Sequence, residues 1–168
     1  VEGGSSRDYP NAKGWAITAP ESFDRLFKLL ENTIADHLIA QINAGAQAVQ
    51  IFDSWAGALP ASLFNRYSLE PISRIAARVK QAAPDVPIIV FPRLAGPRYR
   101  DFLKLDAIDA ISIDQSISPE WSFSTMTSPF SPRERPLFGT RTSGKRQSPK
   151  NILRFISISI WGKGTTTC

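Results

Sequence analysis

Three short segments hold the residue types that could do chemistry. Phe52-Asp53-Ser54-Trp55-Ala56-Gly57 places a carboxylate and a hydroxyl side by side after an apolar run. Pro92-Arg93-Leu94-Ala95-Gly96 supplies a cation after a second run, and Asp114-Gln115-Ser116 supplies a carboxylate and a hydroxyl after a third. On residue type alone Ser54 reads as a turn or helix-capping residue, the usual work of a loop serine. Asp53 shapes the loop or stays solvated. Arg93 could meet a ligand carboxylate or close a structural ion pair, and a guanidinium fork suits both.

Other reactive types carry less. His37, the sole histidine, stands beside Leu38 in a helical pattern with no Cys, Asp or Glu at metal-ligand spacing, so a surface or half-buried helix residue is expected and no metal site. Gly3-Gly4-Ser5-Ser6 and Gly162-Lys163-Gly164-Thr165 lack the full glycine-to-lysine spacing of a phosphate loop and read as plain loops. The one cysteine, Cys168, excludes an intrachain disulfide and gives no support to an oxidising compartment, so the cytoplasm is the expected location.

The elements that must position these segments follow from periodicity. Phe23, Leu26, Phe27, Leu30, Ile34, Leu38 and Ile42 recur at steps of three and four, which predicts one apolar helix face from Ser22 onward. Thr18 and Glu21 have capping-box spacing at its start, and Gly45 offers a left-handed stop. Ala48 to Phe52 is short and apolar, as expected for a strand covered on both faces. A second helix with Ile72, Ile75, Ala76 and Val79 inside ends at Pro84. Val86 to Phe91 is the next strand; Tyr99, Phe102 and Leu103 mark a shorter helical stretch, and Ala110 to Ile113 a third strand.

Strand, loop, helix, strand at this spacing predicts an α/β fold of about three βα units with a parallel sheet, either closed as a barrel or open and doubly wound. In both cases functional residues gather on the loops after the carboxyl ends of strands, which are Phe52 to Gly57, Pro92 to Gly96 and Asp114 to Ser116.

Charge divides the chain. The 168 residues carry a net charge of +5, with 42% apolar and 21% charged residues, close to globular averages. Residues 1–120 hold 12 Lys and Arg against 14 Asp and Glu, whereas residues 121–168 hold 8 against 1. Residues 122–168 also contain 15 Ser and Thr among 47 positions, a composition that resists a packed core. The expected division is therefore a folded body over residues 1–121 and a low-complexity basic tail over residues 122–168, disordered or translated out of frame. Only Phe155 to Trp161 alternates as a strand would, with no obvious partner. The N-terminal Val1-Glu2-Gly3-Gly4 reads as a cut end without a secretory pattern. No run approaches the ~20 apolar residues of a membrane span. The basic clusters lack interleaved aromatics, so neither a membrane nor nucleic acid is the expected partner.

Val1-Glu2-Gly3-Gly4-Ser5-Ser6 and, in the same order and spacing, Gly45-Ala46-Gln47-Ala48-Val49-Gln50-Ile51-Phe52-Asp53-Ser54-Trp55-Ala56-Gly57 resemble the uroporphyrinogen decarboxylase family. Leu63-Phe64, Phe91-Pro92-Arg93 and Asp109 to Asp114 extend the resemblance to about Trp121. It implies part of a (β/α)8 TIM barrel, usually a homodimer, that decarboxylates the four acetates of uroporphyrinogen to give coproporphyrinogen without a metal or organic cofactor. It further implies that the family's substrate-binding serine falls on Ser54 and a cleft-lining phenylalanine on Phe52; Arg93 is a further candidate. The family's catalytic Asp, arginines and tyrosine would lie ahead of Val1, and the histidine of its later Gly-His-Gly stretch has no counterpart here. A truncated and inactive fragment is the expectation. The alternative from another class is a basic-tailed module binding an acidic partner or nucleic acid.

Overall fold

Proline and helix periodicity shape the first third of the chain. A computed structural model describes residues 1–118, Glu120 and the backbone of residues 156–158. Helix α1 (Pro10–Thr18) and helix α2 (Pro20–Asn43) each begin with proline, whose fixed φ suits the first helical position and whose missing N–H costs nothing there. The capping box expected from Thr18 and Glu21 does not form. Thr18 belongs to α1 and donates its hydroxyl to the Gly14 carbonyl at 2.8 Å, and α2 starts at Pro20 without a side-chain cap. For α1 the cap is Glu2, whose carboxylate accepts from the Ala12 N–H at 2.8 Å. Gly45 ends the α2 region at φ 108°, in the left-handed region that glycine enters freely.

The buried stripe of α2 is rotated from the expected one. Phe23, Ala35 and Leu38 are buried, while Leu30 at 43% and Ile34 at 40% are exposed. The cause is the partner. The fully buried Ala35 belongs to the core that α2 shares with helix α4 (Glu70–Ala82), and Arg74 of α4 reaches Glu31 at 2.7 Å, so the contact face runs through Glu31 and Ala35. Arg66 with Asp24 and Arg78 with Asp36 extend the same seam.

Strands β1 (Val49–Asp53), β2 (Ile88–Pro92) and β3 (Ala110–Ile113) form a parallel sheet in sequence order, with Ile51 opposite Val90 and Val90 opposite Ile111. Val49, Ile51, Ile88, Val90, Ile111 and Ile113 point to one face and join Ile72, Ile75, Ala76 and Val79 of α4 in the main core. All four α4 positions read from the sequence are buried. β1 and β2 are not covered equally on both faces, whereas all four residues of β3 are buried. Gln50, Phe52, Ile89 and Phe91 alternate onto the face away from the helices, and Phe52 is 63% exposed. Gln50 reaches along that face to Ser112, Nε2 to Oγ 3.2 Å. The segment left without a partner in the sequence contains a short strand, β4 (Ile156–Ile158), which pairs parallel with β3. The rest of the tail lies outside the described residues.

Between β1 and α4 the chain runs through a turn at Ala56–Ala58, helix α3 (Ala61–Phe64) and a π-helical turn, Asn65–Leu69. Proline at position 71 has no N–H to return to Tyr67, and its ring crowds that carbonyl, so the preceding turn widens. The Glu70 N–H accordingly reaches back five residues to the Asn65 carbonyl. After β2 a short turn, Gly96–Arg98, leads into helix α5 (Tyr99–Phe102), whose Tyr99 and Phe102 are buried.

Candidate functional site at the carboxyl ends of the strands

β1 ends at Asp53, whose side chain organises the next turn. The carboxylate accepts the Ser68 hydroxyl at 2.6 Å and the backbone N–H groups of Trp55 and Ala56. Burial raises its pKa above the ordinary carboxylate value, and those hydrogen bonds only partly oppose the rise. Asp53 therefore shapes the loop, one of the two roles its position allowed. Ser68 was missed in the sequence; the signal for it was Pro71 inside a helical pattern, which marks a distorted turn.

Ser54 comes next in the turn and is exposed. Phe52, one residue before Asp53, stands edge-on to Phe91 with ring centroids 6.0 Å apart. Trp55 is 59% exposed and packs against Tyr9 at 5.0 Å, so the N-terminal segment reaches the loop after β1. Arg93 is exposed, and among the described residues its guanidinium has no ion-pair partner.

Backbone hydrogen bonds interlock the turns after β1 and β2. The Arg93 N–H donates to the Asp53 carbonyl, and the Gly57 N–H donates to the Arg93 carbonyl, both at 3.0 Å. Ser54 thus lies inside a loop whose two ends are pinned to one residue, Arg93. The fit is tight, since a Cβ on Gly57 would stand 2.7 Å from the Leu94 carbonyl oxygen. Leu94 itself adopts φ 60°, an uncommon conformation for a side chain of its size.

β3 supplies the third tie. Asp114, 4% exposed, accepts from the Leu94 N–H through Oδ2, from the Tyr99 hydroxyl at 3.1 Å and from the Ser116 N–H at 2.9 Å. Burial works against its charge, but the hydrogen bonds from Ser116, Leu94 and Tyr99 outweigh it and lower its pKa. Burial and the neighbouring Asp114 charge push the Tyr99 hydroxyl up, which keeps it a donor.

His37 is exposed on α2, where its Nε2 lies 3.0 Å from Gln41 Nε2. Among the described residues no group of three or more His, Cys, Asp or Glu is placed to hold a metal ion, and no helix is long and apolar enough to cross a membrane. The arrangement can present a hydroxyl, a cation and aromatic edges on one rim. Such a rim suits a flat apolar ligand bearing carboxylates.

Helices on one face of a parallel sheet, with the polar turns gathered at its carboxyl edge, define a partial β/α barrel. The family model for Uroporphyrinogen decarboxylase (URO-D) matches residues 1–137. A protein named uroporphyrinogen decarboxylase from Rhodospirillum rubrum is 43% identical over 126 residues, covering 75% of this chain and 36% of its own. Its namesake from Gluconobacter oxydans is 42% identical over 119 residues, covering 71% and 34%, and that from Granulibacter bethesdensis 39% over 119, covering 71% and 35%. The chain belongs to the uroporphyrinogen decarboxylase family, and it spans about a third of the length of these curated relatives.

Proposed function

We propose that this chain forms one wall of the cleft of a uroporphyrinogen decarboxylase, which converts uroporphyrinogen III to coproporphyrinogen III by four acetate decarboxylations. The observation that carries this reading is the exposure of Ser54 and Phe52 at the tip of β1, in a loop pinned to Arg93 through its backbone. Ser54 donates its hydroxyl to a substrate carboxylate, Phe52 lies against the macrocycle, and Arg93, free of an ion pair among the described residues, offers a second contact to carboxylate.

Loss of carbon dioxide from an acetate side chain leaves electrons that a protonated pyrrole ring can accept. A fixed anion beside the pyrrole N–H groups stabilises that cation as it develops. We assign neither the anion nor the proton donor to a residue of this chain. Its residues bind and orient, and the chemistry needs the remainder of a barrel, of which ~250 residues is the ordinary size. The complete enzyme is read as a cytoplasmic homodimer that needs no metal or organic cofactor.

The test is a chimera. Residues 1–121 replace the corresponding segment of the Rhodospirillum rubrum relative, and conversion of uroporphyrinogen is measured beside the 168-residue chain alone. The expected result is an active chimera and little or no turnover by the chain alone. A folded but inactive chimera would refute the assigned function, and robust turnover by the chain alone would refute the division of labour.

A further inference from the structure

We propose that Asp114 is a positioning residue for the rim that carries Ser54 and Arg93, a role that rests on the tetrapyrrole-binding function proposed for that rim and that Asp114 performs without touching the ligand. Its carboxylate is buried and lies at the end of β3, whereas Ser54 lies at the end of β1, with β2 between them. Three links connect the two. The Asp114 carboxylate takes the Leu94 N–H and so holds Leu94 at φ 60°. That conformation turns the chain immediately after Arg93, and the Arg93 backbone is fixed on both sides, to the Asp53 carbonyl and to the Gly57 N–H. Gly57 completes the link, because only a residue without Cβ can lie this close to Leu94.

Among the described residues Asp114 has no ion-pair partner. Its acceptor sites are filled by the backbone N–H groups of Leu94 and Ser116 and by the hydroxyls of Ser116 and Tyr99, and every one of those donors belongs to the turns after β2 and β3 or to the helix between them. The carboxylate therefore acts as a template for a turn that the Leu94 side chain disfavours. Without it Leu94 relaxes toward negative φ, the Arg93 carbonyl rotates away from Gly57, and the Ser54 loop loses one of its two anchors.

The test compares the 168-residue chain with Asp114→Asn, Tyr99→Phe and the double variant Asp114→Asn with Leu94→Gly. Residue-resolved amide hydrogen exchange is one readout, and the affinity for uroporphyrin, a stable octacarboxylate probe, is the other. In Asp114→Asn exchange at Arg93 and Gly57 is expected to rise at least tenfold above any rise at Ile51 and Val90, with uroporphyrin affinity falling at least fivefold. Tyr99→Phe leaves the Leu94 bond in place and produces a smaller change of the same pattern, so the idea remains testable should Asp114→Asn fail to fold. Glycine at position 94 adopts the turn unaided, and the double variant is expected to recover both protection and affinity.

Equal acceleration at Arg93, Gly57, Ile51 and Val90, or no recovery in the double variant, would overturn the positioning role, since it would mark Asp114 as a general stabiliser. Unchanged affinity in a variant whose rim amides are deprotected would overturn it also. Failure of the unaltered chain to bind uroporphyrin, with the exchange pattern as expected, would count against the function proposed for the rim and leave the link from Asp114 to Gly57 supported.

Discussion

The Ser68 hydroxyl donates to the Asp53 carboxylate at 2.6 Å, so the π-helical turn after the β1 loop returns to hold the first residue of that loop. The Asp53 carboxyl has its pKa raised by burial, against the pull of Ser68 and the Trp55 and Ala56 amides. An acid with a raised folded pKa binds its proton more tightly in the folded state. Its stabilising contribution is complete below the ordinary value of 3.8 and is lost as pH rises through the folded value. Asp53→Asn avoids the cost of the buried charge. Its Tm relative to the unaltered chain is expected to increase from pH 4 to pH 7; a difference that shrinks over that interval would reverse the assigned sign.

Leu94 at φ 60° carries backbone strain of about 1 kcal/mol, the usual penalty for a left-handed residue with a Cβ. Leu94→Gly removes the strain but adds freedom to the unfolded chain, and the balance is expected to be neutral or stabilising by up to ~1 kcal/mol. Leu94→Val, with branching at Cβ, is expected to cost about 1 kcal/mol or more. Urea denaturation of both variants checks the contrast, and equal effects would show that φ is not the controlling feature.

Gly57 is constrained for a different reason, the proximity of Leu94. A methyl group there would meet the Leu94 carbonyl at 2.7 Å as well as its side chain. Gly57→Ala is expected to cost ~1–3 kcal/mol, the range for forced overpacking. Adding Leu94→Gly is expected to recover only part, because the carbonyl remains. Full recovery in the denaturation midpoint would place the conflict in the side chain alone.

The ion pairs along the α2 and α4 seam contribute little by comparison. Arg74 meets Glu31 at 2.7 Å and Glu70 at 3.3 Å, but its side chain is half exposed and solvent screens both pairs. Arg74→Ala is expected to lower stability by about 0.5 kcal/mol, with the deficit shrinking in 1 M NaCl. A loss several times larger and independent of salt would point to packing by the arginine stem.

The sequence made the layered elements legible where periodicity was strong. Ile72, Ile75, Ala76 and Val79 keep a clean helical spacing and are all buried, and the three apolar runs lie within a residue or two of β1, β2 and β3. α2 was less legible because it carries apolar residues around more than half its circumference. Its partner selected the face with Ala35 and Glu31 over that with Leu30 and Ile34. Helix α1 was invisible for lack of an amphipathic pattern. The polar scaffold behind the rim was also hidden. Asp114 and Leu94 are separated by 20 residues and Ser68 and Asp53 by 15, and no local pattern records such pairings. Ser54, Phe52 and Arg93 were legible as loop and strand-end positions. Residue type alone did not distinguish a capping serine from a binding one.

The most direct measurement is kcat/KM for uroporphyrinogen in the active chimera with and without Ser54→Ala. Loss of one hydrogen bond to a charged carboxylate predicts a fall of roughly tenfold to a hundredfold, about 1.5–3 kcal/mol, with the chimera's thermal stability unchanged. An unchanged kcat and KM in the folded variant would contradict the placement of the β1 tip in the tetrapyrrole cleft.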